Sequence, residues 1–235
     1  PFLPDRIAPM TTLLALDTAT EACSVALLHD GKVLSHYQVI PRLHAQRLLP
    51  MIKELLAEAG IALSAVDGIA FGRGPGAFTG VRIAIGVVQG LAFALQRPVL
   101  PVSTLAVLAQ RALREQGAQQ VAAAIDARMD EVYWGCYRAA QGEMRLLGEE
   151  AVLPPEQARL PAGAVGDWYA AGTGWGSYAG RLPVLAQGEP QVLLPHAQDL
   201  LALAAFAWAR GEALPADMAL PVYLRDKVAT PKAPQ

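Results

Sequence analysis

The sequence is short of the groups on which most enzyme chemistry depends. It has four histidines, His29, His36, His44 and His196, and no two stand three or four apart, so they offer no helical metal pair. No serine sits in a nucleophile-elbow pattern. Two cysteines, Cys23 and Cys136, are too few for a disulfide framework in 235 residues, and neither has a histidine beside it. A reduced, cytoplasmic protein is the simpler reading. The net charge of −2 offers no basic surface for nucleic acid. No signal-peptide pattern is visible. The most apolar run, residues 81–95, is read as too short and too glycine-rich to cross a membrane.

What is present is a large supply of core residues. The chain is 53% hydrophobic and 17% charged, enough for one large domain or two small lobes. Residues 1–9 carry three prolines and are expected to lie outside the fold, as an upstream extension. From 12 to 39 the pattern predicts three antiparallel strands, with a hairpin at Asp30-Gly31. Residues 43–59 switch to helical spacing, although Pro50 predicts a kink or a false start there. A short strand at 66–72, a helix at 79–95, a strand at 97–102 and a helix at 104–116 capped by Ser103 complete the first half. The order β-β-β-α-β-α-β resembles a ribonuclease-H-like, actin-like lobe.

The second half begins in the same way. "VAAAIDA" ends near Asp126 as "TLLALDT" ends near Asp17, and two further strands follow. The expected class is α/β, with two related lobes of which the second is eroded. The expected boundaries are 10–103 for the first lobe and 104–225 for the second. A closing helix near 197–210 packs back on the first lobe in this reading, and 226–235 is a flexible tail.

"FGRGPGAFTGVRIAIG", residues 71–86, invites a phosphate-loop reading. A nucleotide P-loop needs lysine and Ser or Thr after its last glycine, but Gly80 is followed by Val81 and Arg82. The dinucleotide fingerprint fails too, because Ala77 stands at its sixth place. Gly72, Gly74, Gly76 and Gly80 are therefore read as a tight strand-to-helix turn needing positive φ. Beyond the turn, Gly86, Gly90 and Ala94 make a smooth ridge at four-residue spacing. Such a ridge lets a second helix approach closely, either inside the lobe or across a subunit boundary. Arg73 and Arg82 are candidates to pair with a partner's acids.

The acids allow two readings. Asp17 and Asp126, with Gly172 and Gly174, would contact a nucleotide between two lobes, as in actin-like ATPases. The alternative, favoured here, is strand-end capping and solvation at the surface.

Several segments together resemble the TsaB (YeaZ) family: "LLALDTATEACSVALLHDG", "HAQRLLPMI", "GRGPGAFTGVRIAIGVVQGLA", "VSTLAVLAQ", "AAIDARMDEVYW" and "PVYLR". They run from Leu13 to Arg225. The resemblance implies a two-lobed actin-like (ASKHA) fold and a part in making the threonylcarbamoyl modification of adenosine 37 in tRNAs that read codons starting with A. It implies a scaffold rather than an enzyme. The catalytic paralogue TsaD binds its metal through two histidines four apart, and residues 102–110 of this chain hold none. No metal and no cofactor are expected. The implied partners are TsaD, the small ATPase TsaE, tRNA only through the complex, and a second copy when TsaD is absent. By the same resemblance the first two helices form the interface, through His44, Leu48, Ile52, Leu55 and Leu56 on one and Val81, Ile85, Gly86, Val88 and Gly90 on the other.

Overall fold

A computed structural model describes Pro4, residues 11–183 and residues 190–225. The expected tail, 226–235, and the expected extension, 1–9 apart from Pro4, lie outside the described residues.

β1 (Leu13–Asp17), β2 (Ala22–His29) and β3 (Lys32–Val39) form the antiparallel meander expected from the sequence. Asp30 and Gly31 both take left-handed φ, +49° and +70°, which a two-residue hairpin turn requires. β4 (Gly68–Gly72) and β5 (Val99–Val102) continue the sheet parallel to β1, in the order β3-β2-β1-β4-β5. β1 is an unbroken apolar run because both of its faces are covered. Leu14 and Leu16 point to one core, Leu13 and Ala15 to the other.

On the first of those faces lie α1 (His44–Ala59) and α2 (Phe78–Leu95). Contrary to expectation, α1 does not break at Pro50, which is exposed. An internal proline costs a helix about 3 kcal/mol. The buried stripe Leu48, Met51, Ile52, Leu55 and Leu56 outweighs that by holding α1 to the sheet on both sides of the proline. α2 also departs from expectation. Its 18 residues are long and apolar enough to cross a membrane by length and composition. In this fold it lies on the first sheet, burying Val81, Ala84, Ile85, Val88 and Ala92.

β6 (Gln120–Arg128), β7 (Glu131–Ala140) and β8 (Glu143–Leu153) repeat the meander, and β9 (Tyr169–Ala171) adds parallel to β6. The order β8-β7-β6-β9 is that of the first sheet without its fifth strand. This is the ribonuclease-H-like lobe built twice, the second time reduced. Where the first lobe has two long helices, the described residues of the second have at the matching places a 3-10 turn, Pro155–Gln157, and the four-residue α4 (Gly174–Ser177).

Two helices join the lobes. α3 (Thr104–Gln116) starts at Ser103, whose Oγ accepts the Leu105 N–H at 3.2 Å, and ends at left-handed Gly117. Its Leu105, Leu108, Ala109 and Ala112 pack on the second sheet. α5 (Ala197–Ala209) covers the remaining face of the first sheet with Leu200, Leu201, Ala204 and Ala205. Asp199, only 1% exposed, ties the two helices by accepting from Arg114 at 2.7 and 2.8 Å.

Candidate docking face and interlobe cleft

The glycine-rich loop leaves β4 and folds against the turn after β1. A β-carbon on Gly72 would lie 2.2 Å from Asp17 Oδ2, one on Gly76 2.4 Å from the Ala19 carbonyl oxygen, and one on Gly80 2.1 Å from that of Thr18. Of the four loop glycines only Gly74 has positive φ, +94°. The sequence reading of a positive-φ turn is thus corrected: three of the four glycines serve close approach of one backbone to another. Ala77 N–H donates to the Ala19 carbonyl at 2.7 Å, and Thr18 Oγ1 donates to the Gly80 carbonyl at 2.7 Å. These loop groups are turned to the chain's own first turn rather than to a phosphate.

Asp17 caps that turn, accepting the Ala19 N–H at 3.1 Å, but it is not solvated at the surface as expected. It is fully buried, its Oδ2 has no partner among the described residues, and burial pushes its carboxyl up to about 7. Asp126 does reach the surface. It accepts from Arg128 N–H and guanidinium and from the Tyr178 hydroxyl, at 2.8 to 3.0 Å. Gly172 and Gly174 pack on β6, where added β-carbons would lie 2.2 and 3.0 Å from Ala124 backbone atoms. Of the four residues offered as nucleotide contacts, the structure brings only Asp126 to open space between the lobes.

That space is a cleft of about 870 Å³. Glu21, Phe78 and Arg82 line it from the first lobe, and Asp126, Arg128 and Tyr133 from the second. Arg82 needs no partner's acid to explain it, since its guanidinium lies 3.2 Å from the Phe78 ring centroid and 5.1 Å from that of Tyr223. Arg73 points the other way, into a smaller cavity of about 490 Å³ that Ser103, Tyr137 and Glu150 also line. The thiols take no part in either space, and burial pushes Cys23 to about 11 and Cys136 to about 12. Among the described residues no three His, Cys, Asp or Glu side chains gather as a metal site.

The residues expected to meet a partner divide in two. His44, Leu48, Ile52, Leu55, Leu56, Val81, Ile85 and Val88 are each at most 8% exposed. The seven apolar ones belong to the core between the helices and the first sheet, so they cannot also be an outer contact surface. Gly86 and Gly90 are exposed, and a β-carbon on either would meet nothing within 4 Å among the described residues. The ridge is therefore on the outside. Phe93, 83% exposed, stands three residues after Gly90 and shares its face, and Leu49 on α1 is 53% exposed. Phe93 was missed from sequence, although its spacing from Gly86 and Gly90 would have placed it there.

A family model described as "TsaD: tRNA N6-adenosine threonylcarbamoyltransferase" matches residues 36–231. The "tRNA threonylcarbamoyladenosine biosynthesis protein TsaB" of Escherichia coli strain K12 is 47% identical over 226 residues, covering 94% of this chain and 98% of that protein. The chain belongs to the TsaB (YeaZ) family. The TsaB protein of Haemophilus influenzae is 43% identical over 231 residues, covering 95% of this chain and 97% of its own. A solved structure, "YeaZ from Pseudomonas aeruginosa", is 74% identical with a TM-score of 0.88, covering 92% of this chain and all of that one.

Proposed function

We propose that this chain serves tRNA threonylcarbamoyladenosine biosynthesis as a non-catalytic, cytoplasmic partner subunit. It docks through the outer face of α2 onto a TsaD-type transferase, or onto a second copy of itself when the transferase is absent. TsaE joins the assembled complex, and tRNA is reached only through it.

One observation carries this reading. Gly86 and Gly90 sit mid-helix, where each costs about 1 kcal/mol relative to alanine. Neither gains anything among the described residues, because the space beside each is open there. The gain that offsets the cost lies outside, in the close approach of another helix to the ridge, with Phe93 as its apolar anchor. The test is co-purification with the TsaD protein of the same organism and a reconstituted modification assay. Gly86→Leu and Phe93→Asp are expected to lose both association and modification while melting no lower than the wild type. Association unchanged in both variants would overturn the docking face.

The nucleotide reading has one observation on its side, the interlobe cleft. Isothermal titration with ATP and magnesium decides it. Tight binding by the isolated chain, lost when Asp126 is replaced by alanine, would favour it over the scaffold.

A further inference from the structure

The segment from Ala219 to Arg225 has no regular secondary structure, yet it is held at both ends by different lobes. At its start the Ala219 carbonyl accepts from Gln89 Nε2 of α2 at 2.9 Å. In its middle Val222 N–H donates to the Arg73 carbonyl at 2.9 Å, and the Tyr223 ring lies 6.5 Å from that of Phe78, the first residue of α2. These anchors are all in the first lobe. At its end Arg225 crosses to the second. Arg225 Nε donates to Glu131 Oε2 at 3.0 Å, and Nη2 donates to the Ala127 carbonyl at 3.1 Å.

The turn that Arg225 grips is itself strained. Arg128, Met129 and Asp130 take φ of +60°, +56° and +62°, three left-handed non-glycine residues in succession. Such backbone persists only where its surroundings over-determine it. Besides Asp126, which accepts the Arg128 N–H at 2.8 Å, two devices do so here. Arg181 pairs with the Asp130 carboxylate from outside the turn, and Arg225 fastens Ala127 to Glu131 across its mouth. Planar guanidinium geometry suits this double role, since it offers several donors in fixed directions.

We propose that Ala219–Arg225 is an interlobe strap with Arg225 as its latch, coupling α2 to the β6–β7 turn and fixing the width of the cleft between them. The coupling belongs to the lone chain and holds whether or not α2 docks on a partner. Cutting the strap at either end therefore loosens the far end.

Hydrogen-exchange mass spectrometry on the full chain, without partners, tests this. Arg225→Ala releases the latch, and Gln89→Ala releases the opposite anchor from an exposed position on α2. Both variants are expected to exchange amides 127–132 at least about threefold faster than the wild type. A pair of distance probes at Lys53 and Arg145, one exposed site in each lobe, is expected to report a broader interlobe distance in both variants. If Gln89→Ala leaves 127–132 and the interlobe distance unchanged, Arg225 is only a local turn cap and the strap is overturned. Since Gln89→Ala does not touch the strained turn, this holds even if Arg225→Ala disturbs the fold.

Discussion

Asp17 and Gly72 are matched to each other: the carboxylate of one occupies the space a side chain on the other would need, with 2.2 Å between Oδ2 and a β-carbon built on Gly72. The pair seals Asp17 from water at the end of β1 and leaves Oδ2 unpartnered among the described residues.

That sealing makes Asp17 a source of pH dependence. Burial raises its pKa from 3.8 to about 7, so the folded chain binds a proton that the unfolded chain has lost. Its contribution is least costly below about pH 3.8, and stability falls as pH rises toward 7. Asp17→Asn keeps an acceptor for the Ala19 N–H and carries no charge. It is expected to be more stable than the wild type at pH 8 by roughly 2–4 kcal/mol, and to show little of that gain at pH 4. Denaturant unfolding at both pH values measures it. An equal difference at both would show that Asp17 does not titrate in this window.

The glycines separate into two kinds, which one pair of substitutions distinguishes. Gly80→Ala would force a methyl to 2.1 Å from the Thr18 carbonyl oxygen, a backbone atom that cannot move alone. A loss of about 3 kcal/mol, or roughly 6–12 °C in Tm, is expected. Gly86→Ala meets nothing, and should instead raise the Tm of the lone chain by roughly 2–4 °C through helix propensity. Opposite signs in a thermal melt confirm the division, and a loss at Gly86 would place something against that face within the chain.

Ile52 and Leu49 differ in the same way. Ile52 is 4% exposed and inside the core, so Ile52→Glu is expected to cost about 3–5 kcal/mol and to lose partner binding only by unfolding the lobe. Leu49→Glu, on a residue 53% exposed, should leave stability within about 0.5 kcal/mol. Circular dichroism melts without any partner read both. A stable Ile52→Glu chain would return that residue to the interface.

Much of the fold was legible because it is written in period and punctuation. The Asp30-Gly31 turn, the Ser103 cap and the apolar, β-rich runs of β1–β3 each carry a local physical signal, and the structure follows them. The two related acids, Asp17 and Asp126, disclosed the repeated lobe. What sequence could not show was which side of an apolar helix faces home. In α2 apolar and small residues occur all round, so spacing alone offered Val81, Ile85 and Val88 to a partner as readily as Gly86 and Gly90. Only the position of the sheet decides between them. The solvation expected of Asp17 failed for a related reason: the glycine that closes over it is 55 residues away.

His196 supplies a pH dependence of opposite sign to that of Asp17. Its Nδ1 accepts the Gln198 N–H at 3.0 Å, capping α5, and its ring stacks on Tyr37 with centroids 4.8 Å apart. Burial, then the charges of Arg111 and Arg114, lower its pKa from 6.5 to about 4, with Glu115 opposing. The neutral ring is the one that fits, so its stabilisation is whole above pH 6.5 and is lost as pH falls toward 4. His196→Asn keeps a capping acceptor without the titration. The stability of the wild type relative to this variant should fall by about 2–3 kcal/mol between pH 7 and pH 4. Over that window the Asp17 and His196 slopes oppose each other, which flattens the wild-type profile. Asp17→Asn should tilt it so that acid destabilises, and His196→Asn so that base does. If both variants tilt it the same way, one of the two protonation states is wrongly assigned.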